Sequence, residues 1–446
     1  MTSPIISDQQ PRFNAVHAPP ASWMDNVTAY GPFVLLLFGP LAFGAVSPFP
    51  IFILEAGAAG LFLLWTIRQV NTGEIAVSWN PLFGPMLAFV SVIALQLITR
   101  HTEYRYATYS EAMLYIAYGL LCFVVVQTLR RSSQLHRVAI GVSAFGFAVA
   151  LFALLQSASS QGKLYWLVTP RNGGWVYGPY VNHNHYAGLM EMLIPIPLVL
   201  SFSHFAHGVA KRLAVIAAAV MAATLFLSGS RGGMIALLVE LAVLALFVIR
   251  ERSNSKSRMT WMFVLFPVIM ICLLAWLGGS QFASRVTSIN TETRSEISGG
   301  VRMQIARDGL RMFKQKPLLG YGLDTFPAIY PEFRSFYSDV WINEAHDDYL
   351  QLLIETGCLG FCIMLWFLWT MYSQAIKKLW GWPDDRNGVL TLAAMLGCTG
   401  ILVHSFVDFN LHIPANAAIF YVLCTLAAME PRFRKNLHRE RSQMIS

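Results

Sequence analysis

The chain has 446 residues, 55% of them hydrophobic and only 13% charged, with a mean hydropathy of +0.51 and a net charge of +8. Soluble domains carry roughly 25% charged residues, so this composition excludes a water-soluble globular protein. The apolar residues fall into runs of about 17 to 23, the length that crosses a bilayer core, which predicts an all-α, polytopic integral membrane protein.

In chain order, residues 1–29 are polar and Pro-rich and read as a cytoplasmic tail. They carry no cleavable signal, and the first apolar run has no A-x-A exit. Twelve spans are predicted: Tyr30–Val46, Pro50–Ile67, Pro81–Leu97, Ala112–Leu129, Val138–Leu155, Tyr186–Phe202, Leu213–Leu227, Gly233–Ile249, Met259–Leu277, Tyr349–Met371, Gly388–His404 and Ile413–Ala428. The seventh and eighth are separated only by Ser228-Gly229-Ser230-Arg231-Gly232. Together they are too long for one straight span, so two helices and a tight turn are expected. Residues 30–277 thus hold helices one to nine, 278–348 a large loop with short helices, 349–428 helices ten to twelve, and 429–446 a basic tail.

Lys and Arg set the orientation, because cytoplasmic loops carry the excess. Alternating from a cytoplasmic N-terminus puts Arg68, Arg130, Arg131, Arg137, Lys211, Arg212, Arg250, Arg252, Lys256, Arg258, Lys377, Lys378 and Arg386 inside, with the Arg432–Arg441 tail. Short outer loops receive only Arg100, Arg105, Lys163, Arg171 and Arg231. Both termini are expected in the cytoplasm, and the positive charge reflects topology rather than a nucleic-acid footprint. All six cysteines lie in apolar runs without a C-x-x-C spacing, so neither a disulfide framework nor a metal site is expected.

Two outer segments stand out. Gln156–Asn184 is rich in Gly, Tyr and Trp. Gly278–Asp348 is the larger, and its Val301–Lys316 stretch alternates Val301, Ile305, Leu310 and Phe313 with basic residues at helical spacing. Pro317 ends that helix and Gly320-Tyr321-Gly322 makes a turn. The outer side therefore gathers Asn182-His183-Asn184-His185, Arg231, the arginines Arg302, Arg307 and Arg311, His346-Asp347-Asp348, and His404, Asp408, Asn410 and His412. Each has a structural reading as well. Arg231 can snorkel to lipid headgroups, the basic helix can rest on anionic lipid, the acids after His346 can cap the tenth span, and Asn410 and His412 can satisfy a hairpin. Together they suggest a different chemistry. Arginines bind phosphate bidentately without a metal, and a histidine near neutral pKa takes a proton from a hydroxyl. A substrate with a pyrophosphate and a sugar, held at the outer leaflet, uses both. No P-loop or Rossmann glycine pattern is present, so nucleotide chemistry is not supported.

Five motifs resemble the O-antigen ligase/polymerase superfamily, in that family's order. They are Asn182 to Gly188, Ser228 to Gly233, Arg302 through Pro317 to Gly322, Ala345 to Gly357, and His404 to Asn416. They cover the C-terminal two thirds of the chain; the first five spans carry none. The resemblance implies a GT-C-like glycosyltransferase of the bacterial inner membrane with a periplasmic active site and no cofactor. It implies a donor of O-antigen on undecaprenyl pyrophosphate, a lipid A-core acceptor, surrounding membrane lipid and no nucleic acid. It also implies that His346 is catalytic and that Arg231 and Arg302 bind pyrophosphate, supported by Arg307, Asn182, His185, Asp408 and His404, with no metal ligands. O-antigen polymerases and protein O-oligosaccharyltransferases share these motifs, and a lipid-linked sugar flippase would share the arginines without needing His346.

Overall fold

A computed structural model describes residues 22–73, 75–129, 131–170, 175–250, 266–274, 299–338 and 341–429. Expectations about Arg130, Arg171, Arg252, Lys256, Arg258, most of residues 1–29, the 278–298 part of the large loop and the basic tail from 430 lie outside them. Of the predicted span Met259–Leu277, only 266–274 is described, and it is helical.

The described residues are helical, with two isolated bridges in a loop as the only extended pairing. In a bilayer every backbone N–H and C=O must be satisfied within the segment, which makes the helix the default for such apolar runs. Among the described residues eight helices are long and apolar enough to cross a membrane: Pro48–Thr72, Arg105–Thr128, Ser132–Ser159, His183–Phe202, Gly208–Ser228, Arg231–Arg250, Asp348–Lys378 and Arg386–His404. Phe83–Ile98 and Pro414–Ala428 are apolar but shorter. The first helix starts earlier than expected, at Trp23, because Ser22 and Asp25 form a capping box. The glycine-serine stretch at 228–232 does separate two helices: Gly229 takes the left-handed conformation that ends the first, and Arg231 opens the second.

His183–Phe202 is buried along its whole length, with Arg386–His404 and Pro414–Ala428 packed around it, while the flanking helices turn Phe49, Leu63, Ile98 and Trp369 outward. Glycines allow the central helices to touch. A Cβ on Gly397 would lie 2.7 Å from the Met192 carbonyl oxygen, and one on Gly188 would lie 2.3 Å from Asn410 Oδ1.

The ends of the helices sort into two sets, as the alternation of the spans requires. At one end Arg68 pairs with Asp25, His204 with Asp384, and Lys378 donates to the carbonyls of Ala427 and Met429. At the other end Glu103 pairs with Lys316, Gln156 donates to the Gly178 carbonyl, and the loop between the last two helices meets the head of Asp348–Lys378.

The basic helix runs over Gly299–Gln315. Its apolar face is Val301, Ile305, Met312 and Phe313, packed with Phe326, Tyr330, Ile342, Leu350 and Ile354 in a small second core. Leu310, expected on that face, is exposed, and Met312 takes its place. The helix therefore buries its apolar side on protein, which removes the reading of a free amphipathic helix lying on lipid.

Asp348–Lys378 is broken at Gly357, where φ is +64° and ψ −168°. Backbone groups released by the break pair with the turn that follows Pro317. Cys358 N donates to the Pro317 carbonyl (2.8 Å), Tyr321 N to that of Ile354 (3.1 Å) and Gly322 N to that of Glu355 (2.9 Å). A Cβ on Gly357 would sit 2.3 Å from Leu318 backbone atoms. Gly357→Ala should therefore lower stability by about 1–3 kcal/mol from backbone strain alone, seen as a drop in thermal midpoint in detergent. Gly60→Ala, where nothing lies within 4 Å, serves as the neutral control. Equal midpoints for the two variants would mean that the break does not need its glycine.

Candidate active site

The loop between Arg386–His404 and Pro414–Ala428 is where the predicted residues meet. It is held by one carboxylate. Asp348 Oδ2 accepts from Ser405 Oγ (2.7 Å) and Leu411 N (3.1 Å), its Oδ1 lies 2.6 Å from His412 Nδ1, and its own N–H donates to the Ser405 carbonyl (3.0 Å). Burial alone would lower the His412 pKa, but the Asp348 contact and the charges of Glu344, Asp348 and Glu355 raise it well above the ordinary imidazole value. Asp347 is the helix cap, accepting from Tyr349 N and Leu350 N, both at 3.0 Å.

His346 precedes this cap with φ +55°, a left-handed conformation that costs a non-glycine residue on the order of 1 kcal/mol. Its Nδ1 stands 3.8 Å from Asp408 Oδ1. The Phe409 ring is flanked edge-to-face by His346, at 5.1 Å between centroids, and by His185, at 4.8 Å. Burial would push the Asp408 carboxyl up, yet the contact with His346 and the imidazole of His185 hold it well below the usual carboxylate range. The acids next to His346 in the chain, Asp347 and Asp348, are spent elsewhere. Those two are engaged with backbone, Ser405 and His412, and the facing carboxylate is Asp408, sixty-two positions along the chain (408 minus 346).

Arg302 Nη1 donates to the Val407 carbonyl at 3.0 Å, and its buried Nε has no hydrogen-bond partner among the described residues. Val407 also approaches the turn that carries Arg231. A Cβ on Gly232 would lie 3.0 Å from Val407 Cγ2 and 2.4 Å from His404 Cδ2. Arg231 itself is exposed at the start of its helix, and Arg307 is exposed on the basic helix. Arg311, an alternative to Arg302, is instead paired with buried Asp308, which also accepts from Tyr330 and Ser335, so it holds the second core together.

The remaining predicted residues support the site from within. Asn182 caps its helix through Asn184 N (2.8 Å) and lies 3.4 Å from His185 Nε2. His183, His185 and His404 are buried, which leaves His346 and His412 partly exposed, and His412 is taken up by Asp348. Three residues missed in the sequence belong here too. Glu191 lies 2.8 Å from His404 Nδ1, Ser230 3.5 Å from its Nε2, and Glu240 sits deeper. Glu191 and Glu240 were signalled as charged residues inside apolar runs, which is costly in a membrane, whereas Ser230 stands in the turn between two spans. Among the described residues no group of three or more His, Cys, Asp or Glu is arranged to hold a metal ion.

The arrangement offers an imidazole backed by a buried carboxylate, with the Arg302 guanidinium held on the same loop and the turn that carries Arg231 beside it. Its anchor is testable. Asp348→Ala leaves His412, Ser405 and the Leu411 N–H without their acceptor, and losing one partner of such a buried pair costs about 3–5 kcal/mol. Hydrogen exchange over residues 404–412 should rise and the thermal midpoint fall. Unchanged protection of that loop would show that the carboxylate is not what holds it.

Residues 216–365 match the family model described as O-antigen ligase. No curated protein matches the chain. The matched segment contains Ser230, Arg231, Arg302 and His346, while Glu191 lies before it and the His404–His412 loop after it. The match covers a third of the chain, and over that third the chain is similar to the O-antigen ligase family.

Proposed function

We propose that the protein is an O-antigen ligase: an inner-membrane glycosyltransferase moving O-antigen polysaccharide from undecaprenyl pyrophosphate to a sugar of lipid A-core. In this reading the chain has twelve spans and a GT-C-like fold, both termini are cytoplasmic, and residues 278–348 form a periplasmic loop. Reaction requires neither metal nor nucleotide. The observation that supports it is the convergence on residues 404–408: Val407 contacts Arg302 and the Arg231 turn, and Asp408 faces His346.

The chemistry follows from that geometry. With Nδ1 turned toward Asp408, His346 presents Nε2 to the acceptor hydroxyl and takes its proton, and Asp408 stabilises the imidazolium that forms. The hydroxyl oxygen attacks the anomeric carbon of the first donor sugar as the bond to pyrophosphate breaks. A single displacement inverts that carbon. The pyrophosphate diester carries two negative charges in the donor and a third as it leaves, so it needs charge stabilisation more than a proton, which guanidinium groups provide. Arg302 is anchored through Nη1, so its Nε and Nη2 edge is the fork available to a phosphate.

Purified enzyme, lipid-linked donor and lipid A-core should give product in EDTA without ATP. His346→Ala should lower transfer by about 10²–10⁴-fold with its melting temperature nearly unchanged. A stable variant of full activity would remove the base from the mechanism. Transfer only onto a second lipid-linked glycan would identify a polymerase, transfer onto protein an oligosaccharyltransferase, and none at all would favour a flippase.

Arg231→Lys and Arg302→Lys should each cost roughly 1.5–3 kcal/mol, about ten- to a hundredfold in donor use, because lysine cannot form the bidentate fork. Wild-type kinetics for Arg231→Lys would restore the reading in which that side chain merely reaches for lipid headgroups.

A further inference from the structure

Beneath Arg231 runs a chain of buried polar groups that the transfer step does not use. Ser230 Oγ accepts from Gly233 N at 3.2 Å and so caps the helix that Arg231 opens. The same oxygen lies 3.5 Å from His404 Nε2, at the limit of hydrogen-bond range. His404 Nδ1 is 2.8 Å from Glu191 Oε1, with both side chains out of contact with solvent. Past Glu191 stands Glu240, also buried. A Cβ on Gly400 would lie 1.7 Å from Glu240 Oε1 and 3.3 Å from Glu191 Cβ, so the two acids share the space that this glycine leaves open.

Two acids and an imidazole inside an apolar bundle are not there for packing, since apolar side chains of similar volume serve that end at least as well. Two bare carboxylates in one space repel, so one holds a proton. Glu240 is that member, because neither of its oxygens has a hydrogen-bond partner among the described residues, whereas Glu191 has His404. Glu191 is then the anion, and it takes the Nδ1–H of His404. That choice of tautomer leaves Nε2 as an acceptor for the Ser230 hydroxyl, whose oxygen stays free to receive the Gly233 N–H. A neutral Glu191 would allow the opposite tautomer, whose Nε2–H competes with Gly233 for the same oxygen.

We infer that Glu191 is a positioning residue for the donor phosphate: acting through His404 and Ser230, it sets the helix turn that presents Arg231. The inference rests on the reading of Arg231 as a phosphate ligand.

Equilibrium binding of undecaprenyl-pyrophosphate-linked donor to the purified full chain in detergent tests it. Glu191→Gln should weaken donor binding about tenfold, the scale of a small misplacement transmitted from outside the site. It should raise donor KM and leave kcat at saturating donor nearly unchanged, and the double variant with Arg231→Lys should bind no more weakly than Arg231→Lys alone. Should Glu191→Gln fail to fold, Ser230→Ala breaks the same chain at its other end, with the same expected loss and the same non-additivity. Wild-type donor affinity in whichever variant folds, or losses that add to that of Arg231→Lys, overturns the inference while the Arg231 reading stands. Wild-type affinity in Arg231→Lys overturns both.

Discussion

A carboxylate taken out of water must have its lone pairs filled, and Asp348 fills them with one short loop. Ser405, Leu411 and His412 come from the connection between the last two helices, and Asp348 sits at the head of a helix that is remote from them in the chain. Once these bonds form, residues 404–412 have little freedom left. Val407 is then where its carbonyl meets Arg302, and Asp408 is where its carboxylate faces His346. A neutral residue at position 348 would leave each of these groups to find water or another partner. The site is thus set by the demand of one buried charge rather than by contacts between the reactive residues themselves.

The same demand recurs deeper in the bundle, with glycine as its complement. Helices in lipid gain little from burying apolar surface against each other, so close approach and polar contacts decide their packing. Gly188, Gly232, Gly397 and Gly400 each open space that a neighbouring element fills, and at Gly188, Gly232 and Gly400 the filling group is a polar side chain, Asn410, His404 and Glu240 in turn. Small residues and buried acids are two halves of one arrangement. The glycine makes room for the charged side chain, and the charged side chain gives the glycine position its sequence requirement.

Much of this was legible in the residues. Apolar runs locate the helices, since length and hydropathy are local properties. Gly229 and Pro317 mark helix ends through their own backbone preferences, and the paired acids after His346 suit a helix start. What pairing hides is which acid does what. Asp347 and Asp348 are adjacent, but one turns back to cap its helix while the other reaches across to His412. The partner of His346 comes from a different helix connection, and no local pattern points to Asp408. The basic helix misled in a similar way. Its periodicity admits either Leu310 or Met312 on the apolar face, and only the small core around Tyr330 and Ile354 selects Met312. Arg302, Arg307 and Arg311 look equivalent by spacing, and the buried Asp308 separates them.

The N-terminal third, which carries none of the family's motifs, nevertheless enters the geometry of the site. Gln96 donates to the carbonyls of Leu319 (2.6 Å) and Glu355 (2.8 Å), and Thr108 donates to that of Leu323 (2.8 Å). A Cβ on Gly322 would strike Thr102 at 2.2 Å. These contacts press the 317–323 turn into the break at Gly357, and Glu355, just before that break, caps the next short helix through Asp324 N and Phe326 N. The basic helix that carries Arg302 leads directly into that turn. Its second core packs on Leu350 and Ile354, in the first turns of the helix headed by Asp348. Arg302 and His346 are therefore carried on one packed unit, and the early helices are the wall that the unit leans on. Residues there are under a constraint of shape rather than of chemistry, which is why no motif marks them.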